Sequence, residues 1–265
     1  RLSEWSESTG LDLVRLGTTA DADEVKDTAV AQPLIVALSL IGLEQLRRSV
    51  SVPVGTPIAG HSVGELTAAA AAGVLSFDDA VALAAVRGRE MAAACAVEPT
   101  GMTAVMGGDP DVVLQHLDKL GLEPANRNGA GQVVAAGPQS ALEELAAEPP
   151  EGTRVRALAV AGAFHTRFME PAVEGMRRHA ETIRPSAPTA PLLSNADGAV
   201  VDDPDVILQR LVNQVTRPVR WDACMATLGE LGVDAVVELP PAGALAGMVR
   251  RELKGVKTVA LKTPA

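Results

Sequence analysis

The sequence predicts an α/β protein in which helices cover both faces of a parallel sheet and a small βαββαβ domain is inserted. Over most of the chain, segments with helical apolar spacing alternate with short runs rich in Val, Leu and Ile. Between residues 101 and 160 the order of predicted elements changes to βαββαβ. The chain has 265 residues, of which 47% are apolar, and this is enough to bury cores of this kind.

The first hundred residues are predicted to contain three helices and one strand. Pro33 lies near the first turn of the first helix, where a proline is tolerated. Ser76 is a typical N-cap, since Asp78 and Asp79 follow it in the first turn of a helix. The helices are expected at residues 29–48, 64–72 and 77–96, and the strand at 56–59.

Residues 101–160 form the predicted small domain. The turn Asn128-Gly129-Ala130-Gly131 separates two of its strands. Its order of elements is that of ferredoxin-like domains, so residues 1–100 and 161–265 are expected to form one large domain around it. The strands are expected at residues 102–106, 124–128, 132–136 and 153–160, and the helices at 109–120 and 138–147.

After residue 160 the alternation of helices and strands resumes, which favours a parallel sheet in the large domain. The helices are expected at residues 169–183, 204–214, 218–229 and 242–252, and the extended segments at 191–194, 235–239 and 256–261.

Composition argues against several classes of function. Two tryptophans and three phenylalanines are the only aromatic residues, and the net charge is −10, so nucleic-acid binding is not expected. Cys95 and Cys224 provide no disulfide framework, which favours a reducing, cytoplasmic compartment. No metal-ligand spacing is present, so no metal is expected. The longest apolar stretch, residues 29–43, is too short to span a bilayer, and no signal peptide precedes it, so no membrane is expected.

The strongest functional motif is Gly60-His61-Ser62-Val63-Gly64, which we call the serine turn. Glycines two residues on either side of a serine, between a predicted strand and helix, allow a strained turn that presents Ser62 as a nucleophile. The Val63 backbone N–H would then stabilise a developing oxyanion. The alternative is an ordinary turn in which Ser62 only caps the helix. The flanking elements favour the nucleophile.

A nucleophilic serine needs a base, and the sequence has four histidines. His116 and His179 have charged neighbours and are expected at the surface, whereas His61 is expected to pack beside the turn. His165, in an apolar loop that leaves the small domain, is favoured as the base, with a structural histidine as the alternative. The order Ser then His is that of the α/β-hydrolases, so an α/β-hydrolase-like core is expected. No Asp or Glu is evident as a third member.

Arg87 follows an apolar helical stretch and has two interpretations. A guanidinium can bind a carboxylate with two parallel hydrogen bonds, which would make it a substrate clamp. An arginine at the start of a polar stretch is also typical of a solvated helix end. Spacing alone leaves both open.

Together these motifs resemble the malonyl-CoA:acyl-carrier-protein transacylases, the acyltransferase family of fatty-acid and polyketide synthesis. The resemblance covers essentially the whole chain. Further matching segments are Gln32-Pro33, Asn126 to Gln132, Ser194-Asn195, Asn213-Gln214 and Arg217 to Trp221.

The resemblance implies a bacterial transferase that moves a malonyl group from malonyl-CoA to the pantetheine thiol of acyl carrier protein. It implies a ping-pong reaction through a malonyl ester of Ser62, with His165 as the base, to supply extender units for fatty-acid synthesis. Arg87 would hold the malonyl carboxylate, and Gln214 would orient His165 through a carbonyl. The other substrate-binding residues that it implies are Gln32, Phe164 and Asn195. No cofactor is implied, since malonyl-CoA is the substrate, and a monomer is the family default.

Two residues bear on the choice of acyl group. In the family that the chain resembles, Phe immediately before the base is associated with malonyl rather than methylmalonyl, so Phe164 favours malonyl. Val63 after the serine indicates the same. One methyl group changes discrimination by about 1–3 kcal/mol, so we expect a preference.

The resemblance also raises expectations about the ends and the docking surface. The family opens with a strand and a Gly-Gln-Gly loop that supplies a second oxyanion donor, and the sequence begins downstream of it at Arg1. If that segment is truly absent, we expect slow catalysis and an exposed gap in the sheet. The end at residues 262–265, without a synthase linker, favours a discrete enzyme. Candidate basic residues for docking the acidic carrier, or alternatively plain solvated surface, are Arg250, Arg251, Lys254, Arg177 and Arg178.

Three other functions stay open from the sequence. The first is an acyltransferase domain of a polyketide synthase. The second is a serine hydrolase or thioesterase, against which Arg87 and the missing acid argue. The third is a non-catalytic module that docks carrier protein.

Overall fold

The computed structural model describes residues 1–262 and has a mixed α/β fold. Residues 263–265, on which the expectation of a discrete enzyme partly rests, lie outside the described residues. The helices are α1 (Leu2–Thr9), α2 (Leu13–Thr18), α3 (Thr28–Ser49), α4 (Gly64–Ala71), α5 (Phe77–Cys95), α6 (Pro110–Lys119), α7 (Gln139–Ala147), α8 (Glu170–Ala180), α9 (Pro204–Asn213), α10 (Trp221–Glu230) and α11 (Ala244–Glu252). The strands are β1 (Thr100–Gly107), β2 (Glu123–Arg127), β3 (Gln132–Pro138), β4 (Thr153–Ala157), β5 (Val219–Arg220), β6 (Ala235–Glu238) and β7 (Lys257–Ala260).

The main sheet has the strand order β4-β1-β3-β2-β5. Its first four strands are antiparallel neighbours, and the elements between residues 100 and 157 follow the predicted βαββαβ order. α6 and α7 contribute Leu117 and Leu145 to an apolar cluster with Val105 of β1. β5 comes from the C-terminal part of the chain and pairs in parallel with β2, so one sheet joins the two parts of the sequence.

Parallel pairing in the remainder of the chain is limited to short pieces among the described residues. The extended segments 56–59 and 191–194 lie side by side in parallel, but only one bridge, between Ile58 and Leu192, joins them. β6 and β7 form a separate parallel pair. Among the described residues, the predicted parallel sheet is therefore represented by this extended pair and by a separate two-stranded sheet.

Two further predictions of local structure were incomplete. The predicted helix at 218–229 begins with the short strand β5, and α10 starts only at Trp221. α1 and α2 were not predicted at all. Trp5 anchors α1 in the core, because it is buried and its indole N–H donates to Asp78 at 2.7 Å.

α3 forms the centre of the largest core. It packs against α5, and Val36, Ala37 and Leu40 lie in the apolar cluster that the two helices share. By length and composition this helix of 22 residues could also cross a membrane, so the sequence-based statement that the stretch is too short is corrected. Burial in this cluster is the ordinary behaviour of a core helix, and the absence of a membrane partner stays a prediction.

Gly88 sets the distance between α3 and α5. A Cβ atom at this position would lie 2.6 Å from the carbonyl oxygen of Thr28 and 3.0 Å from the Cα atom of Ala29. Only a glycine permits this approach, and as a result Arg87 on α5 lies beside Gln32 on α3.

Candidate active site

The serine turn adopts the strained conformation that the motif predicts. Ser62 has a φ of 53°, in the left-handed region that non-glycine residues rarely adopt. A Cβ on Gly60 would lie 2.0 Å from the carbonyl oxygen of Gly64, so the turn can close only because residue 60 has no side chain. The strain is maintained by contacts to the turn from other parts of the chain.

The hydroxyl of Ser62 lies 2.7 Å from Nε2 of His165. On the other side of the ring, Nδ1 of His165 lies 2.8 Å from the backbone carbonyl oxygen of Gln214. A carbonyl oxygen only accepts, so Nδ1 carries the proton and Nε2 is free to accept from the serine. This array has the geometry of a catalytic triad, with a main-chain carbonyl in the third position.

His165 is kept neutral by its surroundings. Burial, followed by the positive charge of Arg87, lowers the pKa of His165 to about 3, and the hydrogen bond to Gln214 offsets only part of this. A histidine with so low a pKa is fully in the form that can accept a proton at neutral pH.

Arg87 is buried, with 2% of its surface exposed, and its guanidinium reaches the hydroxyl of Ser62. It donates to Oγ of Ser62 at 3.2 Å, to Oε1 of Gln32 at 2.5 Å and to Oε1 of Gln214 at 2.7 Å. Burial lowers the pKa of Arg87 to about 10, so it stays charged at neutral pH. All three acceptors are neutral, and no carboxylate of the described residues forms a salt bridge with it. The solvated helix end is therefore the wrong interpretation of this residue.

Asn195 holds the backbone of the serine turn from behind. Its Oδ1 accepts the N–H of Ser62 at 2.8 Å, and its Nδ2 donates to the carbonyl oxygen of Gly60 at 2.7 Å. The side chain is fully buried and its oxygen also accepts from Gln214. The polar atoms of Asn195 are thus occupied by the turn and by Gln214, and its binding of substrate stays a prediction.

Glu65 is the residue that sequence reasoning missed. It lies in the first turn of α4, is 5% exposed, and accepts the N–H of Asn195 at 2.8 Å. Its other oxygen accepts from Nε2 of Gln214. Burial raises the pKa of Glu65 to about 7, although these hydrogen bonds act in the opposite direction. The sequence offered one indication of a place in the site, namely that Glu65 follows Ser62 by only three residues.

The comparisons with known proteins agree with this geometry. The model of the acyl transferase domain family matches residues 3–263. The chain belongs to this family. A malonyl CoA-acyl carrier protein transacylase from Mycobacterium tuberculosis is 57% identical over 266 residues, which cover 100% of this chain and 88% of the relative. The family predicted from the sequence motifs is thereby confirmed.

Solved structures of acyl transferase family members have the same fold. The crystal structure of MCAT from Mycobacterium tuberculosis matches with a TM-score of 0.96 and 57% identity, over 99% of this chain and 87% of that one. A type II polyketide synthase acyl carrier protein in complex with its malonyl-transacylase has been solved too. That transacylase matches with a TM-score of 0.90 and 28% identity, over 97% of this chain and 85% of that one.

The other residues predicted from the sequence lie in or next to this acyl transferase site. Val63 follows Ser62 directly in sequence, and its backbone N–H donates to no acceptor among residues 1–262. Gln32 is buried, and it contacts Arg87, Thr28 and Met91. Phe164 is half-buried between two apolar clusters.

The remaining histidines lie outside the catalytic array. His61 packs edge-on against Trp221, with ring centroids 5.7 Å apart, and its Nε2 contacts Asn128 at 2.9 Å, as its predicted packing role requires. His116 and His179 are half-buried rather than fully solvated. Within the described part of the chain, no group of three His, Cys, Asp or Glu side chains could hold a metal ion.

Proposed function

We propose that this chain transfers a malonyl group from malonyl-CoA to the pantetheine thiol of acyl carrier protein. The observation that carries the proposal is a nucleophile–base pair beside a buried arginine whose charge has no carboxylate partner. Ser62 lies 2.7 Å from His165 and 3.2 Å from Arg87. The names of the relatives agree with this activity. The M. tuberculosis protein that is 57% identical to this chain is named a malonyl CoA-acyl carrier protein transacylase.

The first half-reaction forms an ester on Ser62. As the serine oxygen attacks the thioester carbonyl, its proton moves to Nε2 of His165. The Val63 N–H is positioned to donate to the oxyanion of the tetrahedral intermediate. When the C–S bond breaks, the proton on His165 goes to the departing thiolate, and free CoA leaves.

The second half-reaction runs the same steps with the carrier's thiol. His165 takes the thiol proton, the sulfur attacks the ester carbonyl of malonyl-Ser62, and the C–O bond breaks. The proton then returns to Oγ of Ser62. Throughout, the Gln214 carbonyl holds the ring of His165 in the required tautomer.

Arg87 would select an acyl group that carries a carboxylate. A guanidinium has five N–H groups, and Arg87 uses three of them in the contacts described, so further donors are available to a substrate. A buried charge without a direct salt bridge is unfavourable, and a malonyl carboxylate would supply such a partner. An arginine in this role also disfavours a general serine hydrolase, which needs no charged acyl group.

A cleft beside Gln214 is lined by several basic side chains. It has a volume of about 410 Å³, and four arginines and Glu65 line it, whereas Ser62, His165 and Arg87 do not. Two of them, Arg210 and Arg220, pair with Asp197 and Asp222. The other two are Arg127 and Arg217, which make no salt bridge among the described residues and give the cleft an excess of positive charge.

Residues 101–160 would form a ferredoxin-like domain, as the order β4-β1-β3-β2 supports, and residues 1–100 and 161–265 an α/β-hydrolase-like core. We further propose a cytoplasmic monomer that needs no cofactor and supplies extender units for fatty-acid synthesis. Supply to a polyketide synthase is the second candidate, favoured by the structural match to a type II polyketide malonyl-transacylase.

Intact-mass spectrometry tests the activity. Incubation with malonyl-CoA should add one malonyl group to the wild-type protein and none to the Ser62→Ala variant. Carrier protein with its pantetheine arm should discharge the adduct and gain the malonyl mass. Absence of any adduct would overturn the proposal, and discharge by water at the same rate would assign a hydrolase instead.

A second measurement tests the clamp. Arg87→Gln should lower the rate of malonyl transfer to Ser62 by roughly 10- to 100-fold, because a charge-assisted hydrogen bond is lost. Acetyl transfer, which has no carboxylate to bind, should change far less. Equal losses for the two acyl groups would make Arg87 structural.

A further inference from the structure

Glu65 is a buried carboxyl group that the proposed reaction steps do not use. It follows Ser62 by three residues, in the first turn of α4, where the N-terminal end of a helix favours negative charge. Each of its two oxygens has a partner: the Asn195 N–H at 2.8 Å, and Nε2 of Gln214. Both partners in turn contact the serine turn or Arg87.

The side-chain amide of Gln214 has one orientation that satisfies all its neighbours. Its Oε1 faces Arg87, which can only donate, at 2.7 Å. Its Nε2 faces acceptors, namely Glu65 and the carbonyl oxygen of Ser62 at 3.1 Å. If the amide rotated by 180°, an NH₂ group would face the guanidinium, and an oxygen would face the carboxylate. The carboxylate therefore fixes which end of the amide Arg87 meets.

We propose that Glu65 is a positioning residue that orients Arg87 through the Gln214 amide and so sets the preference for a carboxylated acyl group. The inference rests on the proposed function, in which Arg87 binds the malonyl carboxylate. Glu65 itself would touch neither substrate nor the reacting atoms.

The electrostatics of the three residues agree with this role. Arg87 and Glu65 are both buried and lie on opposite sides of one amide, so the amide dipole connects the two charges. Burial lowers the pKa of Arg87 and raises that of Glu65, and the opposite charge of the partner counteracts burial in each case. Arg87 is thus supported without a direct salt bridge, and its free donors stay available for an acyl carboxylate.

Two substitutions of Glu65 distinguish a role as hydrogen-bond acceptor from a role in packing. Glu65→Gln keeps the size of the side chain but leaves one oxygen for two donors. The Asn195 N–H belongs to the backbone and cannot turn, so the oxygen is expected to stay there and the NH₂ group to face the NH₂ of Gln214. Relief of that clash requires the Gln214 amide to turn, and then Arg87 loses its acceptor. Glu65→Asp shortens the side chain but keeps a carboxyl group that only accepts when it is ionised, so the amide has no reason to turn. Simple packing predicts the reverse order of severity, because Asp leaves a void and Gln does not.

The assay is the single-turnover rate of Ser62 acylation by malonyl-CoA and by acetyl-CoA. We expect Glu65→Gln to reduce the malonyl-to-acetyl rate ratio by roughly 10-fold or more, the effect of losing a hydrogen bond to a charged group. Glu65→Asp should keep the ratio within about threefold of wild type, even if both rates fall. Thr67→Val is the matched control. Thr67 lies buried on the same helix, and its hydroxyl has no partner among the described residues, so the ratio should not change.

The outcomes distinguish this inference from the proposed function. If wild-type protein forms no malonyl ester, the proposed function fails. If wild type prefers malonyl and Glu65→Gln keeps that preference, the positioning role of Glu65 is refuted alone. A larger loss of the ratio in Glu65→Asp than in Glu65→Gln would refute it as well and assign Glu65 to packing. Thermal melting of each variant shows whether it is folded, and the ratio is read only within one folded sample.

Discussion

We expect Gly60→Ala and Gly64→Ala, two substitutions at equal distance from Ser62, to change stability in opposite directions. A Cβ on Gly60 would lie 2.0 Å from the oxygen and 2.2 Å from the carbon of the Gly64 carbonyl, and 2.6 Å from the Glu65 nitrogen. All three atoms belong to the backbone, so no side chain can move to make room. A Cβ on Gly64 would meet nothing within 4 Å.

The magnitudes follow from these distances. To restore an ordinary contact, the turn at Gly60 must open by more than about 1 Å, and overpacking of this kind costs about 3 kcal/mol or more of unfolding free energy. The same movement would displace Ser62 from His165, and a misplacement of about 1 Å can reduce a rate by about 100-fold. Gly64 begins α4 in ordinary helical geometry, so alanine there should add up to about 1 kcal/mol by restricting the unfolded chain.

Urea denaturation measures both free energies of unfolding, and intact-mass spectrometry measures acylation of Ser62. Gly64→Ala serves as the matched control, since it adds the same methyl group to the same motif. A Gly60→Ala variant that unfolds at the wild-type urea concentration and acylates at the wild-type rate would refute the steric reasoning. So would equal destabilisation by the two substitutions.

Three further predictions concern the pH response and helix packing. Because burial and Arg87 lower the pKa of His165 to about 3, the rate of Ser62 acetylation should stay constant down to about pH 5. With a histidine of ordinary pKa, the rate at pH 5 would be roughly 30-fold lower than at neutral pH. A fall in rate with a midpoint near pH 6.5 would contradict this. The pKa of Glu65 is raised from 4.5 to about 7, so between these pH values the folded state binds more protons than the unfolded state. The free energy of unfolding should therefore fall as pH rises, by about 1.4 kcal/mol per pH unit. Urea titrations at several pH values should show this fall for wild type and not for Glu65→Gln, and parallel curves would contradict it. Gly88→Ala should cost about 1–3 kcal/mol by forcing α3 from α5, whereas Gly247→Ala, whose methyl group would meet only a flexible arginine, should not destabilise, as thermal melts of both would test.

The parts of the fold that the sequence predicted are those that local rules determine. The cap at Ser76, the apolar spacing of α5 and the βαββαβ order depend on residues close together in the chain, and the structure has all three. β5 was missed because two residues carry no periodicity, and what makes them a strand is pairing with β2, which lies about 90 residues earlier. α1 escaped for a similar reason, since the burial of Trp5 depends on a distant contact with Asp78.

In the candidate site too, some members can be predicted from residue type, whereas others depend on contacts that the sequence does not show. Ser62 and His165 are identifiable because few residue types can act as a nucleophile and a base. The third member of the array is the carbonyl oxygen of Gln214, and every residue has such a group, so a search for Asp or Glu could not find it. Glu65 was overlooked for the opposite reason. A glutamate in the first turn of a helix is usually solvated, and its burial follows from a hydrogen bond to Gln214, 149 residues away. The backbone of Gln214 contacts His165, and its side chain contacts Arg87 and Glu65. We therefore expect the identity of residue 214 to matter for the contacts of Arg87 and Glu65 but not for holding the base.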